Sequence, residues 1–318
     1  MALTASVIIV TYNRPQDLAA CLDSILNQSM LPLEVMVIDN DAKQSARAVV
    51  CQYEARYTAQ EIALRYQVSP KNSLPVARNL GVRLSRGDIV LFLDDDVVLE
   101  ANYLSEILKV FEMNVEALGV QGYVINNEER PGFWRKLFFL PGAAVGECRV
   151  LPSIHSIYPL APDTCIPCEC LLGCNTAYRR SILADFPHDE NLLKYSFGED
   201  LDQSYRIFKQ HPDALWLTPF ARCVHNVSPA GRVVGKEQTY IAEIYRLYLF
   251  YKLFPPTLRN KVIYGWSFIG RILGKLKHPS RATFVESWHR LGALHLCFQH
   301  LREIKQGNIE FFNRILLE

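Results

Sequence analysis

Along the first hundred residues, short continuous apolar runs alternate with longer segments whose apolar positions recur every three or four residues. The run "SVIIV" (6–10) is apolar and β-branched without a break, the pattern of a strand buried on both faces. Asn13 and Pro15 supply a cap and a first-turn signal, and Leu18, Cys21, Leu22, Ile25 and Leu26 follow at helical spacing, with Pro32 beyond the helix end. "EVMVIDN" (34–40) predicts a second strand, a helix is expected over about 43–57, and "IALRYQV" (62–68) predicts a third strand. A helix from Pro75 to Ser85 ends at the stop signal Gly87, and "DIVLFL" (88–93) is the next buried strand. Strand–helix alternation of this kind predicts an α/β fold with a parallel sheet.

In open parallel sheets ligands bind beyond the carboxyl ends of the strands. That rule gathers Thr11, Tyr12 and Asn13 after the first strand, Asp39 and Asn40 after the second, and Asp94, Asp95 and Asp96 after the fourth, into one crevice. Three consecutive aspartates repel one another. They are either a solvated turn, where Asp is favoured, or the holders of a cation. Oxygen ligands with room left over suit Mg2+ or Mn2+, which take one or two carboxylates plus substrate phosphates. The chain has no GxxxxGK[ST] loop and no GxGxxG after the first strand, which argues against a P-loop site and against a dinucleotide-binding domain.

Composition narrows the classes further. At 318 residues the chain has room for one large domain or two modest ones. A net charge of +1 gives the whole molecule no bias towards nucleic acid, and no such partner is expected. "MALTASVIIVTYN" lacks a basic leader, and its apolar run falls short of the roughly 20 residues needed to span a bilayer. A cytoplasmic chain with reduced thiols is the expectation for its nine cysteines. Cys165, Cys168, Cys170 and Cys174 are spaced C-x2-C-x-C-x3-C. Zinc sites pair two CxxC-like knuckles, so buried thiols are expected here rather than a metal.

"SVIIVTYNRPQDLAACLDSILNQ", "VIDN" and "NSLPVARNLGVRLSRGDIVLFLDDD", followed by "LLGCNTAYRRSIL" (171–183), "FGEDLDQSYRI" (197–207) and His225, resemble a family 2 glycosyltransferase over roughly residues 4 to 227. The resemblance implies the GT-A fold, a Rossmann-like, mostly parallel sheet flanked by helices, here with a helical C-terminal extension. It implies a catalytic domain over 1–228, with a nucleotide-sugar-binding half (1–120) and an acceptor-binding half (121–228). It also implies transfer of a sugar from a nucleotide-diphosphate donor, typically UDP-linked, with inversion. The acceptor is expected to be a hydroxyl of a glycan or lipid-linked molecule, in cell-surface polysaccharide or glycolipid synthesis.

By the same resemblance Asp96 is a direct metal ligand, Asp94 touches the metal or the ribose, Asp95 serves either role, and His225 is a further ligand to Mn2+ or Mg2+. Thr11, Tyr12, Asn13, Asp39 and Arg78 address the nucleotide, Asp39 through the base; its alternative is a strand-end turn. In the "GED" pair Asp200 is the general base and Glu199 holds the acceptor, although carboxylates also favour helix N-termini without catalysis. Gly173, Cys174 and Asn175 match the family's glycine-containing turn at the acceptor. A metal-bound acidic cluster fits a diphosphate leaving group because it neutralises developing charge without a proton. Two other readings remain open: a sugar nucleotidyltransferase, which would release pyrophosphate, and a non-catalytic sugar-nucleotide-binding protein, which would tolerate loss of Asp200.

Two segments lie outside the shared pattern. "NVSPAGRVVGKEQTY" (226–240) reads as a mobile loop whose Arg232 and Lys236 are placed to close over a diphosphate. The stretch 240–281 is aromatic, aliphatic and basic, with Glu243 its only acid, and "FWRKLFFL" (133–140) has the same character in an expected loop. A basic amphipathic helix reads as an element of an anionic membrane surface, which makes the protein peripheral; the alternative is core helices packed under the catalytic domain.

Overall fold

The computed structural model describes residues 2–126, 132–194, 197–276 and 280–317. The chain forms two compact units. One comprises Met1–Glu128, Ala161–Glu190 and Glu199–Gly231; the other comprises Glu129–Leu160, Asn191–Gly198 and Arg232–Glu318. The division is therefore not one cut near residue 228, because 129–160 and 191–198 fall in the second unit.

The first unit opens β1 (Ala5–Thr11), α1 (Pro15–Leu26), β2 (Glu34–Asp39), α2 (Arg47–Ala59), β3 (Ala63–Val68), α3 (Leu74–Leu84) and β4 (Ile89–Asp94). These are the alternating elements the apolar pattern predicts. The short β5 (Val97–Leu99), α4 (Tyr103–Met113) and β6 (Gly119–Val124) follow. In the second unit lie α5 (Phe133–Leu137), β7 (Gly142–Ala144), β8 (Arg149–Leu151) and β9 (His155–Pro159). The chain then returns to the first for β10 (Ile166–Pro167), β11 (Asn175–Arg179), α6 (Arg180–Leu183), α7 (Glu199–Gln210) and β12 (Leu215–His225).

The nine-stranded sheet runs β10-β12-β6-β11-β4-β1-β2-β3, with β5 on β12. Strands β1 to β4 are mutually parallel where they pair, β11 is antiparallel to both β4 and β6, and β12 is parallel to β6. Two reversals across β11 make β6 and β12 point the same way as β1 to β4. Six strands thus deliver their carboxyl ends to one edge, where β11 begins. Both faces are covered: Val7 and Ile9 of β1 join Leu18, Leu22 and Ile25 of α1 in one core cluster. Ile8 points to the opposite face, against Gly81 of α3. Helix α2 starts four residues later than the pattern predicts. Asp39 accepts the backbone N–H groups of Asp41 and Ala46 at 2.9 and 3.0 Å, which holds 41–46 in a loop.

The second unit continues with α8 (Gly235–Leu253), α9 (Leu258–Leu276), α10 (Arg281–Gln299), α11 (Leu301–Lys305) and α12 (Glu310–Leu317), and carries a small sheet ordered β7-β9-β8. Helix α8 begins at Gly235, so the last six positions of the expected loop 226–240 are helical. The segment 133–140 is a helical turn, α5, where a loop is expected. Nor is 240–281 one amphipathic element. Ile241, Ile244, Tyr245, Leu249 and Phe250 of α8 are buried, whereas α9 is apolar on an exposed side. Residues 277–279 of that stretch lie outside the described residues. At the centre of the unit Glu243 accepts Arg271 at 2.8 Å, and pairs with Arg246 and Arg290. Burial opposes the Glu243 charge, but Arg271, Arg246 and Arg290 together hold its carboxyl below the ordinary range. Among the described residues, no helix is long and apolar enough to cross a membrane.

Candidate active site

The site is built at the carboxyl edge of the first unit's sheet. Asp94 ends β4, and Asp95 and Asp96 lie in the turn that follows. Asp95 turns to β1: its carboxylate accepts the Thr11 hydroxyl at 2.7 Å and the Arg14 guanidinium at 2.9 Å. Desolvation pushes Asp95 up to about 7 against the pull of Arg14 and Thr11. Both its oxygens are therefore engaged by the chain, and Asp95 serves as the anchor of Thr11 and Arg14.

Asp94 and Asp96 gather near His225, and the Arg14 nitrogen that binds Asp95 also reaches Asp96 at 3.4 Å. Antiparallel pairing of β5 with β12 sets His225 opposite Val97, beside Asp96. The His225 Nε2 lies 3.0 Å from Asp96 Oδ1, and the Ser228 N–H donates to Asp96 Oδ2 at 2.8 Å. Desolvation works against the Asp96 charge, yet the His225 and Ser228 hydrogen bonds and Arg14 hold the carboxyl below its usual value. Ligand atoms of Asp94, Asp96 and His225 lie within 4.8 Å of one another. Two carboxylates and an imidazole at that spacing fit one Mn2+ or Mg2+ ion, with Asp94, a quarter exposed, on the open side. Desolvation in the crevice raises Asp94, with Arg78 opposing and Asp96 adding to it.

Arg78, on α3, joins the two acidic groups. Its guanidinium donates to Asp94 at 3.2 Å, to Glu199 at 3.3 Å and to the Gly173 carbonyl at 2.8 Å. Burial disfavours the Arg78 charge, but Glu199, Asp94 and Asp200 outweigh it and raise its pKa. Asp200 sits in the first turn of α7 and accepts the backbone N–H groups of Gly173 at 2.7 Å and Leu201 at 2.8 Å. Among the described residues Asp200 makes no ion pair. The two acids of the "GED" pair thus differ: Glu199 is buried against Arg78, and Asp200 is half-buried and held by backbone.

Other expected residues are spread more widely. Asp39 is buried, and its oxygens accept the Tyr66 hydroxyl at 2.8 Å besides the N–H groups of Asp41 and Ala46. A carboxylate offers about four acceptor positions, and the chain itself takes three of those of the fully buried Asp39. Tyr12 is partly exposed, and Asn13, at φ +53°, donates its N–H to Ser45. In the 173–175 turn Gly173 meets Arg78 and Asp200, and the Cys174 carbonyl accepts the Asp94 N–H at 3.0 Å. Cys174 packs in the core, and the Asn175 amide donates to the Gly122 carbonyl and the Cys223 sulfur inside the sheet. Cys168 and Cys170 are buried and Cys165 is half-buried, all as free thiols. Arg232 and Lys236 belong to the second unit, where Lys236 lies over the Tyr240 ring.

Two participants escape the sequence reasoning. Arg14 reaches Asp95 and Asp96 and fastens the 228–230 backbone through the Ser228 and Ala230 carbonyls. Ser228 acts through its backbone, its N–H on Asp96 and its carbonyl on Arg14. The signal for Arg14 was its place directly after "TYN", a cation at the strand edge where three acids gather. For a backbone donor no side-chain signal exists. Gly231, at φ +66°, completes that segment; a Cβ there would meet the Tyr12 carbonyl at 2.4 Å.

This sheet, with its acidic edge and the acid pair on α7, is the architecture of a GT-A glycosyltransferase. The sequence model of glycosyl transferase family 2 matches residues 6–186, and the chain belongs to that family. It is 33% identical over 109 residues to an uncharacterized glycosyltransferase of Haemophilus influenzae, a match covering 34% of this chain and 35% of that protein. It is 35% identical over 104 residues to the succinoglycan biosynthesis protein ExoM of Rhizobium meliloti, covering 32% of each. Among solved structures, GalNAc-T7 with UDP, GalNAc and Mn2+ superposes with a TM-score of 0.57 at 18% identity, over 85% of this chain and 55% of that one. Staphylococcus aureus TarS 1–349 gives 0.52 at 16% identity, over 90% and 89%. At such identities the structural likeness is one of fold.

Proposed function

We propose that this chain is a metal-dependent, inverting transferase that moves a sugar from a UDP-type donor to a hydroxyl of a glycan or lipid-linked acceptor, in polysaccharide or glycolipid synthesis. The observation that carries the reading is the Arg78 bridge, which ties Asp94 of the candidate metal cluster to Glu199 of the acid pair. Donor diphosphate and acceptor hydroxyl would then meet across a few ångströms. The presence of UDP, GalNAc and Mn2+ in one GT-A neighbour, and of a succinoglycan biosynthesis protein among the relatives, supports the donor class and the pathway type.

A divalent ion held by Asp94, Asp96 and His225 would offset the negative charge that develops on the departing diphosphate. The chain's own residues supply the rest. Arg78 holds Asp94 and Glu199 in place, and Glu199 holds the acceptor. Asp200, fixed by two backbone donors and in no ion pair among the described residues, accepts the proton of the attacking hydroxyl on the face opposite the leaving group. Inversion follows from that single displacement.

The test separates donor binding from chemistry. Calorimetric titration of UDP with Mn2+ is run beside turnover, read as nucleoside diphosphate release. Asp96→Ala should weaken donor affinity and raise the metal requirement. Asp200→Asn should bind donor nearly as the parent does and lose about 10^2 to 10^4-fold in turnover, the usual contribution of a general base. Glu199→Gln should raise the acceptor KM. Retention of more than about a tenth of turnover by Asp200→Asn overturns the base assignment, because that residue loss falls far short of removing a base. Pyrophosphate release overturns the glycosyl-transfer reading itself.

A further inference from the structure

Helix α9 presents an apolar line to solvent. Leu258, Val262, Trp266, Ile269 and Leu273 recur at intervals of four, four, three and four residues, one side of a helix, and all five are exposed. Leu258 is 80% and Val262 60% accessible. On the opposite side Arg271 pairs with the buried Glu243, and Lys275, 43% exposed, pairs with Glu286. The short α5 of the same unit lies against this line. The Trp266 indole N–H donates to the Leu137 carbonyl at 3.0 Å, and the Phe138 ring stacks on Trp266 at 5.0 Å. Phe133, 80% accessible, extends the apolar surface on α5.

The charged side chains of α5 and α9 are all of one sign. No Asp or Glu occurs between Glu243 and Glu286, nor within α5. Arg259 and Lys261 are exposed at the start of α9, and α5 adds Arg135 and Lys136. We propose that the α5–α9 face docks on an anionic phospholipid surface, with Leu258, Val262 and the exposed edge of Trp266 entering the headgroup boundary and Arg259 and Lys261 pairing with lipid phosphates. An interfacial helix has this composition: an apolar side, flanking cations and a tryptophan at the boundary. A second copy of the chain fits less well. A two-fold contact through α9 sets each surface patch against itself, so Arg259 and Lys261 would meet further cations with no acid on either helix to offset them. The docking goes beyond the sugar-transfer reading and does not depend on it.

Co-sedimentation of the full chain with vesicles of phosphatidylcholine, with and without phosphatidylglycerol, at low and high salt, tests the proposal. Binding should need phosphatidylglycerol and weaken with salt. Leu258→Glu with Val262→Glu should abolish it, and these side chains are exposed enough for the melting temperature to hold. Arg259→Glu with Lys261→Glu should weaken partitioning by about thirtyfold or more, at roughly fivefold per cation. Trp288→Glu, on the exposed side of α10, should leave binding unchanged. The proposal is overturned by absence of binding, by binding indifferent to lipid charge, or by loss of binding in the Trp288 variant alone. It is equally overturned if sedimentation velocity shows self-association that the Leu258/Val262 variant removes.

Discussion

At the scale of single residues, the three aspartates show how one run of like charges is divided among partners. Asp95 is neutralised from below by Arg14, Asp96 is gripped by His225 and the Ser228 N–H, and Asp94 answers to Arg78. Gly173 stands between the cation and the acid. A Cβ there would stand 3.0 Å from both the Arg78 guanidinium and the Asp200 Cβ. Gly173→Ala should therefore displace Arg78, Asp200 or both while leaving the core untouched. The expected outcome is a loss of about 10^2-fold in turnover, the scale of a small misplacement of catalytic groups, with a melting temperature within a few degrees of the parent. Steady-state kinetics beside a thermal melt checks it; unchanged turnover would show that the turn relaxes without moving either acid.

At the scale of elements, α8, α9 and α10 are pinned together by one buried acid facing three arginines. Glu243 is 3% exposed and lies against Arg246, Arg271 and Arg290. Its folded pKa is depressed, so the stabilisation it gives is fully present above the unfolded value. That stabilisation is lost as the pH falls through the folded value, below the ordinary 4.5. Glu243→Gln leaves the arginines uncompensated and should cost about 3–5 kcal/mol at neutral pH, as breaking a buried pair does. Urea unfolding from pH 7 down to pH 3 (the range that brackets an ordinary carboxyl) should show the gap between parent and variant narrowing at the acid end. A gap that stays constant would mean that Glu243 contributes by shape and not by charge.

At the scale of the whole molecule, donor binding should be visible as stability. A ligand that binds only the folded chain adds RT ln(1 + [L]/Kd), about 2.7 kcal/mol at a hundredfold excess over Kd. UDP with Mn2+ should raise the melting temperature, and UDP with a chelator should not. Asp96→Ala should lose most of the shift, whereas Asp200→Asn should keep it. A UDP shift that survives chelation would place the donor on protein groups alone.

Strand and helix periods, and the acids at strand ends, were readable directly. "SVIIV", "EVMVID" and "DIVLFL" could be little else than buried parallel strands, and a parallel sheet sends its carboxyl ends to one edge. Thr11, Asp39 and the aspartates at 94–96 therefore belong to that edge by sequence alone. What sequence could not decide depends on contacts between residues far apart in the chain. The start of α2 moved because Asp39 captures the N–H of Ala46, and backbone donors leave no mark in a sequence. The partition of 240–281 followed the same rule. Helix α8 and helix α9 are alike in composition, but neighbours bury most of α8 and leave one side of α9 to solvent. Local sequence determined the elements and the edge on which the acids stand. Only tertiary packing decided which acid meets which cation, because those pairings join positions such as 14 and 95 or 78 and 199, whose distance apart is set by the sheet and not by the chain.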